Sequence, residues 1–269
     1  MNNQAIGIFD SGIGGLSVFQ EIKKLLPFEN LIYFADQAFC PYGTKSQSQI
    51  RKRVLSALSF FEKQKVKLVV IACNTATTVG IDYYREKFPK VPIIGVVPVI
   101  KTAGGKTVTK KVLILATQST IENPYLNVLI NKFGKGIKFF KLGDWEGQLV
   151  KMIENGELKQ KKIEKELDFL LTPFLNQNID TVVLGCTHFP LIRNQIQDIF
   201  GARVQILDSG GAVARHTQRV LENKGLLAEN QKPDYTFYTT ANIERLNRSI
   251  QNFIYILNAK VKKMTFPTD

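Results

Sequence analysis

The sequence predicts an α/β protein with two pseudo-symmetric domains, each with a mainly parallel sheet covered by helices. Short apolar runs alternate with segments of helical spacing, and two of the runs are near copies that end in a cysteine. Repeated strand–helix units imply parallel sheets, because neighbouring parallel strands need a crossover connection, usually a helix. The runs that we expect to form strands cover residues 5–9, 30–35, 67–72, 92–97, 111–116, 136–141, 180–185, 203–207 and 234–239.

Helical spacing is clearest in residues 46–64 and 159–177. Between residues 97 and 109 the pattern is interrupted by Pro98, Gly104 and Gly105, just before a new strand begins.

We therefore divide the chain at this interruption. Residues 1–97 together with 208–269 form the first predicted domain, and residues 98–207 form the second. Because ligand sites favour the interface between domains, we expect the active site there.

The chain has 269 residues, enough for two domains that each bury a core. It has no apolar run of about 18 residues, the length of a membrane span, and its first residues do not resemble a signal peptide. The three cysteines match no disulfide framework, CxxC redox motif or zinc pattern. We expect a cytoplasmic protein with no membrane association, whose thiols are free to act as bases or nucleophiles.

The formal net charge of +13 is typical of proteins that bind nucleic acid. However, residues 1–50 hold three basic and four acidic side chains, and the dense run 159–166 mixes both signs as a solvated helix face does. We therefore interpret the charge as a solvated surface and expect no nucleic-acid partner.

The two similar runs read LVVIACNT at residues 68–75 and TVVLGCTH at residues 181–188. Each has the pattern of a buried parallel strand that ends at a ligand crevice. If the two halves face each other, Cys73 and Cys186 approach one substrate from opposite sides, as inversion of a stereocentre by proton transfer requires. Each cysteine precedes a predicted helix start, whose dipole we expect to favour the thiolate.

Two glycine-rich segments match nucleotide-binding motifs only in part. The segment from Gly12 begins as GxG, but Ser17 stands where a dinucleotide fingerprint needs Gly or Ala. A phosphate-binding loop that includes Gly105 would need a glycine at position 100, which is Ile100. We expect the first segment to offer backbone N–H groups to a substrate carboxylate, beside Asp10.

A loop follows the second predicted strand. Pro41 and Gly43 impose an irregular backbone there, which can place Tyr42 in a crevice. An ordinary turn with Ser46 as a helix cap explains the same residues equally well. Cys40 has no counterpart in the second half, and we interpret it as structural or incidental.

Six ordered blocks resemble the cofactor-independent glutamate racemases. They are DSGIGGL at residues 10–16, PYGTKS at 41–46, ACNTAT at 72–77, LATQST at 115–120, GCTHFPL at 185–191 and DSGGAVA at 208–214. The resemblance extends from about residue 6 to residue 240. The chain departs from the family at ADQAF, residues 35–39, where GDTAR is usual, and at GDW, residues 143–145, where a Cys-Pro pair is frequent.

The resemblance implies racemisation by two thiols, with no pyridoxal phosphate and no metal ion. Cys73 is then the base for D-glutamate and Cys186 the base for L-glutamate. Asp10 is implied to assist the first thiol, and Glu154 is the implied acidic residue near the second. His188 is implied to pair with the second thiol or with the substrate amine.

The resemblance also implies substrate contacts, a homodimer and a supply of D-glutamate for peptidoglycan. Two carboxylates need N–H and hydroxyl donors, and an amine needs acceptors. The implied contacts are Asp10, Ser11, Pro41, Tyr42, Gly43, Asn74, Thr75, Thr117, Thr120, Thr187 and His188. The other histidine, His216, lies in a predicted helix, and we expect no catalytic role for it.

Two alternatives stay open. An aspartate racemase of the same superfamily has the same two thiols, and the sequence does not reveal the length of the pocket. A basic nucleic-acid-binding protein on a racemase scaffold is the alternative from a different class, because a fold does not fix an activity.

Overall fold

The structure, a computed structural model, describes residues 3–157, 161–229, 232–256 and 259–266. The strands are β1 (Ile6–Asp10), β2 (Leu31–Ala35), β3 (Leu68–Ile71), β4 (Ile93–Gly95), β5 (Lys111–Thr117), β6 (Lys138–Asp144), β7 (Thr181–Gly185), β8 (Gln205–Leu207), β9 (Tyr235–Thr239) and β10 (Lys260–Lys263). The helices are α1 (Leu16–Leu25), α2 (Gln47–Lys63), α3 (Asn74–Lys87), α4 (Ile100–Lys106), α5 (Gln118–Glu122), α6 (Pro124–Phe133), α7 (Gln148–Glu154), α8 (Lys161–Leu171), α9 (Arg193–Phe200), α10 (Gly210–Asn223) and α11 (Ile243–Ile254). Short 3-10 helices lie at Tyr42–Thr44, Trp145–Gly147, Thr172–Gln177 and Phe189–Ile192.

The strands form two sheets, and their pairings in the described residues are parallel. The first sheet has the order β10-β9-β2-β1-β3-β4 and the second the order β6-β5-β7-β8. The central strands β1, β3 and β7 are buried along their whole length, as expected when helices cover both faces. The predicted α/β fold with two helix-covered parallel sheets is confirmed. No helix in the described part of the chain combines the length and apolar character needed to cross a bilayer.

All nine predicted strands are present, and β10 is a tenth that the apolar pattern missed. Its sequence is KVKK, and most of it is exposed at the edge of the first sheet. Lysines on an edge strand discourage pairing with other chains, so this strand lacks the apolar signature on which the prediction relied.

The sequence predicted that regular structure is interrupted between residues 97 and 109, and this prediction is wrong. Helix α4 occupies most of the segment and includes both Gly104 and Gly105. A Cβ atom on Gly104 would lie 2.8 Å from the backbone oxygen of Phe133 at the end of α6. Gly104 therefore serves the close packing of two helices and does not break one.

The predicted helices are confirmed with changed ends. Ser46 caps α2 by accepting a hydrogen bond from the backbone N–H of Gln49, as the turn interpretation expected. The second predicted helix is shorter than expected, because α8 gives way to a 3-10 helix at Thr172 and Pro173. Residues 159 and 160, which the prediction included, lie outside the described residues.

The carboxyl ends of four central strands carry the predicted chemistry. Asp10 ends β1 and Cys73 follows β3 in the first sheet, whereas Thr117 ends β5 and Cys186 follows β7 in the second. Crevices at the carboxyl ends of parallel strands are where α/β proteins bind ligands. The two sheets contain strands from the predicted halves, and the boundaries at residues 97 and 208 stay a prediction.

Gly7→Ala is expected to destabilise the fold. The Cα of Gly7 in β1 faces the ring of Phe61 from α2, and an added Cβ would lie 2.7 Å from a ring carbon. Overpacking of this kind costs about 1–3 kcal/mol in the free energy of unfolding, which urea denaturation would measure. Gly105→Ala is the control, because a Cβ there meets nothing within 4 Å, and it is expected to stabilise α4 by up to about 1 kcal/mol. Equal midpoints for the two variants would contradict this packing.

Candidate active site

Cys73 and Cys186 face one narrow cavity from different sheets. Both thiols are free, and the two residues are only 4% and 6% exposed. The space left between the surrounding side chains is about 10 Å³, on the order of one water molecule. The other residues of its wall are Ser11, Pro41, Tyr42, Gly43, Asn74, Thr75, Thr117, Val150, Thr187 and His188. From the sequence, the two cysteines were expected to come together only if the two halves of the chain face each other. The structure places both cysteines on one cavity.

Three predicted site residues stand behind this wall. Asp10 accepts a hydrogen bond from the Thr187 hydroxyl at 3.0 Å, and Thr120 lies 2.9 Å from the Thr117 hydroxyl oxygen. Glu154 contacts the far side of the histidine in the wall. Val150 was missed by the sequence analysis, because an aliphatic residue on a helix carries no chemical signal.

A larger cavity of about 570 Å³ lies at the amino ends of the second sheet's strands. Its wall includes Lys106, Asp180 and Arg203, and it contains none of the predicted site residues. Because ligand sites of parallel sheets form at the opposite end, the narrow cavity is the better candidate.

Cys73 occupies the first residue before α3, and its sulfur accepts a hydrogen bond from the backbone N–H of Ala76 at 3.4 Å. The predicted helix start after Cys73 is therefore confirmed, whereas a 3-10 helix, Phe189–Ile192, follows Cys186 after two intervening residues. The expected preference for the thiolate is not confirmed: burial and the charge of Asp10 raise the pKa of Cys73 to about 12, against the opposing hydrogen bonds from Ala76 and Ser11. Cys73 is a neutral thiol in this structure at pH 7.

Cys186, His188 and Glu154 form a buried chain of contacts. The Nδ1 atom of His188 lies 3.8 Å from the Cys186 sulfur, and its Nε2 atom lies 2.7 Å from Glu154 Oε1. Burial acts to lower the pKa of His188, but hydrogen bonds with Cys186, Cys40 and Glu154 raise it well above its usual range. Burial acts to raise the pKa of Glu154, but the His188 contacts and the Ile13 N–H hold it below its usual range. The pair is an imidazolium and a carboxylate, with the positive charge next to the Cys186 sulfur.

Glu154 belongs to α7, yet donors from the first predicted domain hold its carboxylate. The backbone N–H of Ile13 donates to Oε1 at 2.6 Å, and Gln37 donates to Oε2 at 3.1 Å. Arg245 of α11 donates to the same Oε2 at 3.3 Å and to the Glu154 backbone oxygen at 3.0 Å. The side chain is only 4% exposed, so nearly all of its bonding capacity is used inside the protein.

The glycine-rich turn binds carboxylates of the protein itself. The backbone N–H of Gly12 donates to Asp10 Oδ1 at 2.9 Å, and the next N–H donates to Glu154. A Cβ on Gly12 would lie 1.8 Å from Glu154 Oε1, so only glycine allows this approach. The segment was expected to offer N–H groups to a substrate carboxylate, and for Gly12 and Ile13 this is wrong, because their N–H groups already bind carboxylates of the protein.

Burial raises the pKa of Asp10 to about 6, although the charge of His188 and the hydrogen bonds from Gly12 and Thr187 act in the opposite direction. The residue is 0% exposed. Asp10 is thus ionised at pH 7 and changes charge in mildly acidic solution.

The wall is cross-linked between the sheets by hydroxyl groups. The hydroxyl oxygens of Thr75 and Thr117 are 2.9 Å apart. Tyr42 lines the cavity, and its hydroxyl donates to Asp36 at 2.7 Å. Arg53 pairs with the same carboxylate. The loop from Pro41 to Gly43 therefore contributes to the wall, and its tyrosine hydroxyl is engaged outside it.

Cys40 lies next to the pair formed by His188 and Glu154. Its interpretation as a structural or incidental residue did not foresee this position. One ligand atom each from Cys40, Glu154 and His188 fall within 4.8 Å of one another, close enough to suit a metal ion. Burial, followed by the charge of Glu154, raises the pKa of Cys40 to about 12. Glu154 Oε1 already binds two donors, so an ion at this place would have to displace the His188–Glu154 hydrogen bond.

Comparison with known proteins agrees with this geometry. Residues 6–217 match the family described as Asp/Glu/hydantoin racemase. The chain belongs to this racemase family. The glutamate racemase of Pseudomonas aeruginosa is 39% identical over 248 residues, which cover 92% of this chain and 93% of that protein.

Solved racemase structures have the same fold. Glutamate racemase RacE1 from Bacillus anthracis has a TM-score of 0.90 at 28% identity, with 100% of both chains covered. Escherichia coli glutamate racemase, in complex with L-glutamate and the activator UDP-MurNAc-Ala, has a TM-score of 0.86 at 34% identity, with 97% of this chain and 98% of that chain covered.

One departure from the usual racemase pattern has a structural role. Gln37 stands in the divergent segment after β2, and it connects Glu154 to Thr239, whose hydroxyl donates to the Gln37 side-chain oxygen at 2.8 Å. Asp36 in the same segment holds Tyr42 and Arg53. The divergent loop thus supports the racemase site from behind.

Glu154→Gln is expected to lower the pKa of His188, because a neutral amide does not stabilise the imidazolium as the carboxylate does. NMR titration of the imidazole signals would measure it, and only two histidines contribute. The second, His216, is exposed on α10 and serves as the internal reference, and His216→Gln assigns the signals. An unchanged His188 titration would contradict the ion pair.

Proposed function

We propose that this protein interconverts L- and D-glutamate by proton transfer between two thiols. The observation that carries the proposal is the single cavity that Cys73 and Cys186 line from different sheets. Its support is the family membership and the glutamate racemases among the relatives.

The reaction needs one base and one acid at a time. The Cys73 thiolate takes the α-proton of D-glutamate, and the electron pair of the broken C–H bond remains on the α-carbon and its carboxylate. The Cys186 thiol then gives a proton to the opposite face, which leaves L-glutamate and a Cys186 thiolate. The reverse sequence starts at Cys186, so each turnover exchanges the protonation states of the two cysteines.

Ionisation of Cys73 is the costly step on its side. With a pKa of about 12, formation of its thiolate at pH 7 costs about 7 kcal/mol. The ammonium group of a bound amino acid supplies an opposite charge inside the buried site, where such charges interact strongly. On the other side, the His188 imidazolium is placed to stabilise the thiolate of Cys186.

Small polar groups of the wall suit an amino dicarboxylate. We propose that Ser11, Asn74, Thr75 and Thr117 donate to the two carboxylates, whereas the Thr187 hydroxyl lines the wall and donates to Asp10. Donors fixed before the reaction also stabilise the charge that develops on the α-carboxylate. Pro41, Tyr42 and Gly43 shape the wall, whereas Asp10 and Thr120 act through the hydroxyl groups that they contact.

The biological setting follows from the product. D-Glutamate is a component of peptidoglycan, and we propose that the protein supplies it, as a homodimer in the cytoplasm. The three unpaired cysteines fit a reducing compartment.

The proposal is tested by incubation of the purified protein with D-glutamate in deuterated water, without added cofactor. We expect loss of the α-proton NMR signal together with loss of optical rotation. Cys73→Ser and Cys186→Ser are each expected to abolish racemisation from both enantiomers. The two enantiomers have equal free energy, so kcat/KM must fall equally in both directions.

Thermal unfolding of the serine variants is the control for folding. Cys40→Ser is the matched cysteine-to-serine control, because the mechanism does not use the Cys40 thiol as a base. Full racemisation by either active-site variant would exclude the two-thiol mechanism. Activity with D-aspartate alone would retain the mechanism and replace the substrate. Inactivity with both substrates would favour the nucleic-acid-binding alternative, which a salt-dependent DNA titration then tests.

Racemisation is also expected to lose activity below about pH 6. Asp10 is ionised above its pKa of about 6, and protonation removes the carboxylate charge that holds the Thr187 hydroxyl of the cavity wall and attracts the ammonium group of the substrate. The log of kcat/KM should therefore fall with unit slope on the acid side. His188 and Glu154 have pKa values shifted away from this region, upward and downward respectively.

Asp10→Asn is expected to be slow at all pH values and to lack this inflection. Unfolding at low pH does not explain the effect. The pKa of Asp10 is higher in the folded state, so its contribution to the stability of the protein decreases as pH rises from about 4 to 6 and does not decrease as pH falls. An inflection near pH 6 that persists in Asp10→Asn would contradict the assignment.

A further inference from the structure

We propose that Arg245 is a positioning residue for the Cys186 side of the reaction. It lies on α11, far along the chain from either cysteine, and it bonds to Glu154 from outside the cavity. This inference rests on the proposed racemase function, and it adds a residue that the six sequence blocks do not include.

The geometry fixes Glu154 in two directions. The Nε atom of Arg245 donates to the backbone oxygen of Glu154, and its Nη2 atom donates to the side-chain Oε2. Because one guanidinium holds both ends of the same residue, the carboxylate cannot rotate without breaking a bond. A planar guanidinium suits this two-point contact, which a lysine cannot reproduce.

The fixed carboxylate in turn orients the histidine. Oε2 is taken by Arg245 and Gln37, so Oε1 remains directed at Nε2 of His188. That bond sets which imidazole nitrogen faces Cys186. The series of contacts therefore extends from α11 of the first predicted domain to the thiol of the second.

The Cys73 side has different supports. Its sulfur is held by Ala76 and Ser11, and its nearest charged influence is Asp10. None of these residues has a hydrogen bond to Arg245 among those described. Loss of Arg245 should therefore slow proton transfer at Cys186 and leave proton transfer at Cys73 nearly unchanged.

The test compares Arg245→Met with wild type, using α-protiated and α-deuterated glutamate of both configurations. We expect kcat/KM to fall about tenfold, and equally in both directions, since the enantiomers have equal free energy. The isotope effects identify the side. With L-glutamate, Cys186 breaks the labelled bond, so the isotope effect on kcat/KM should rise. With D-glutamate, Cys73 breaks it and the later donation from Cys186 becomes limiting, so the isotope effect should fall.

Two further variants serve as controls. Arg248→Met removes an exposed arginine from the same helix and should leave both isotope effects at wild-type values. Arg245→Lys should give intermediate values, and it provides the same measurement should Arg245→Met fail to fold.

A purely structural role predicts a different result. If the isotope effects with L- and D-glutamate stay unchanged or move together in both Arg245 variants, the inference is overturned while the racemase function stands. A wild-type protein that does not racemise glutamate overturns the proposed function first, before any variant is compared.

Discussion

The arrangement of the site depends on one buried carboxylate, that of Glu154. It belongs to α7 and the second sheet's half of the molecule, but Ile13, Gln37 and Arg245 of the other half satisfy most of its hydrogen bonds. A buried carboxylate with missing partners is strongly destabilising. The two halves are therefore held in the one relative position that completes its bonds. In that position the His188 ring reaches the second thiol, and both cysteines line one cavity.

The two sides of the cavity both follow buried parallel strands, but they differ in charge. On the first side, burial raises the pKa of both Cys73 and Asp10, so the environment opposes negative charge. On the second side, an ion pair of His188 and Glu154 places a positive charge next to the sulfur. Pseudo-symmetry thus applies to the strands that lead to the thiols, whereas the helices and charges that surround each thiol differ. A substrate that brings its own ammonium group compensates the less favourable side.

Residues close to the strands were the ones that the sequence could predict. Short apolar runs identified nine strands, and the matched ends at Cys73 and Cys186 placed both thiols. Arg245 and Gln37 escaped prediction, because their importance comes from contacts with a residue more than 90 positions away in sequence. Gly104 contributed to the wrong prediction of an interruption between residues 97 and 109, since glycine is typical of turns and of close helix packing alike. Burial, which decides the pKa values, is likewise a property of the folded chain and not of a local pattern.

The order of strands in the first sheet has a consequence for synthesis. β9 lies between β2 and β10, so β2, one of the earliest strands to be made, finds its outer neighbour only after residues 235–239 have been added. The second sheet, by contrast, is complete once β8 has emerged. A nascent chain can therefore finish its middle part while the sheet begun first still has an open edge, which must be kept from pairing with other chains until the last strands leave the ribosome.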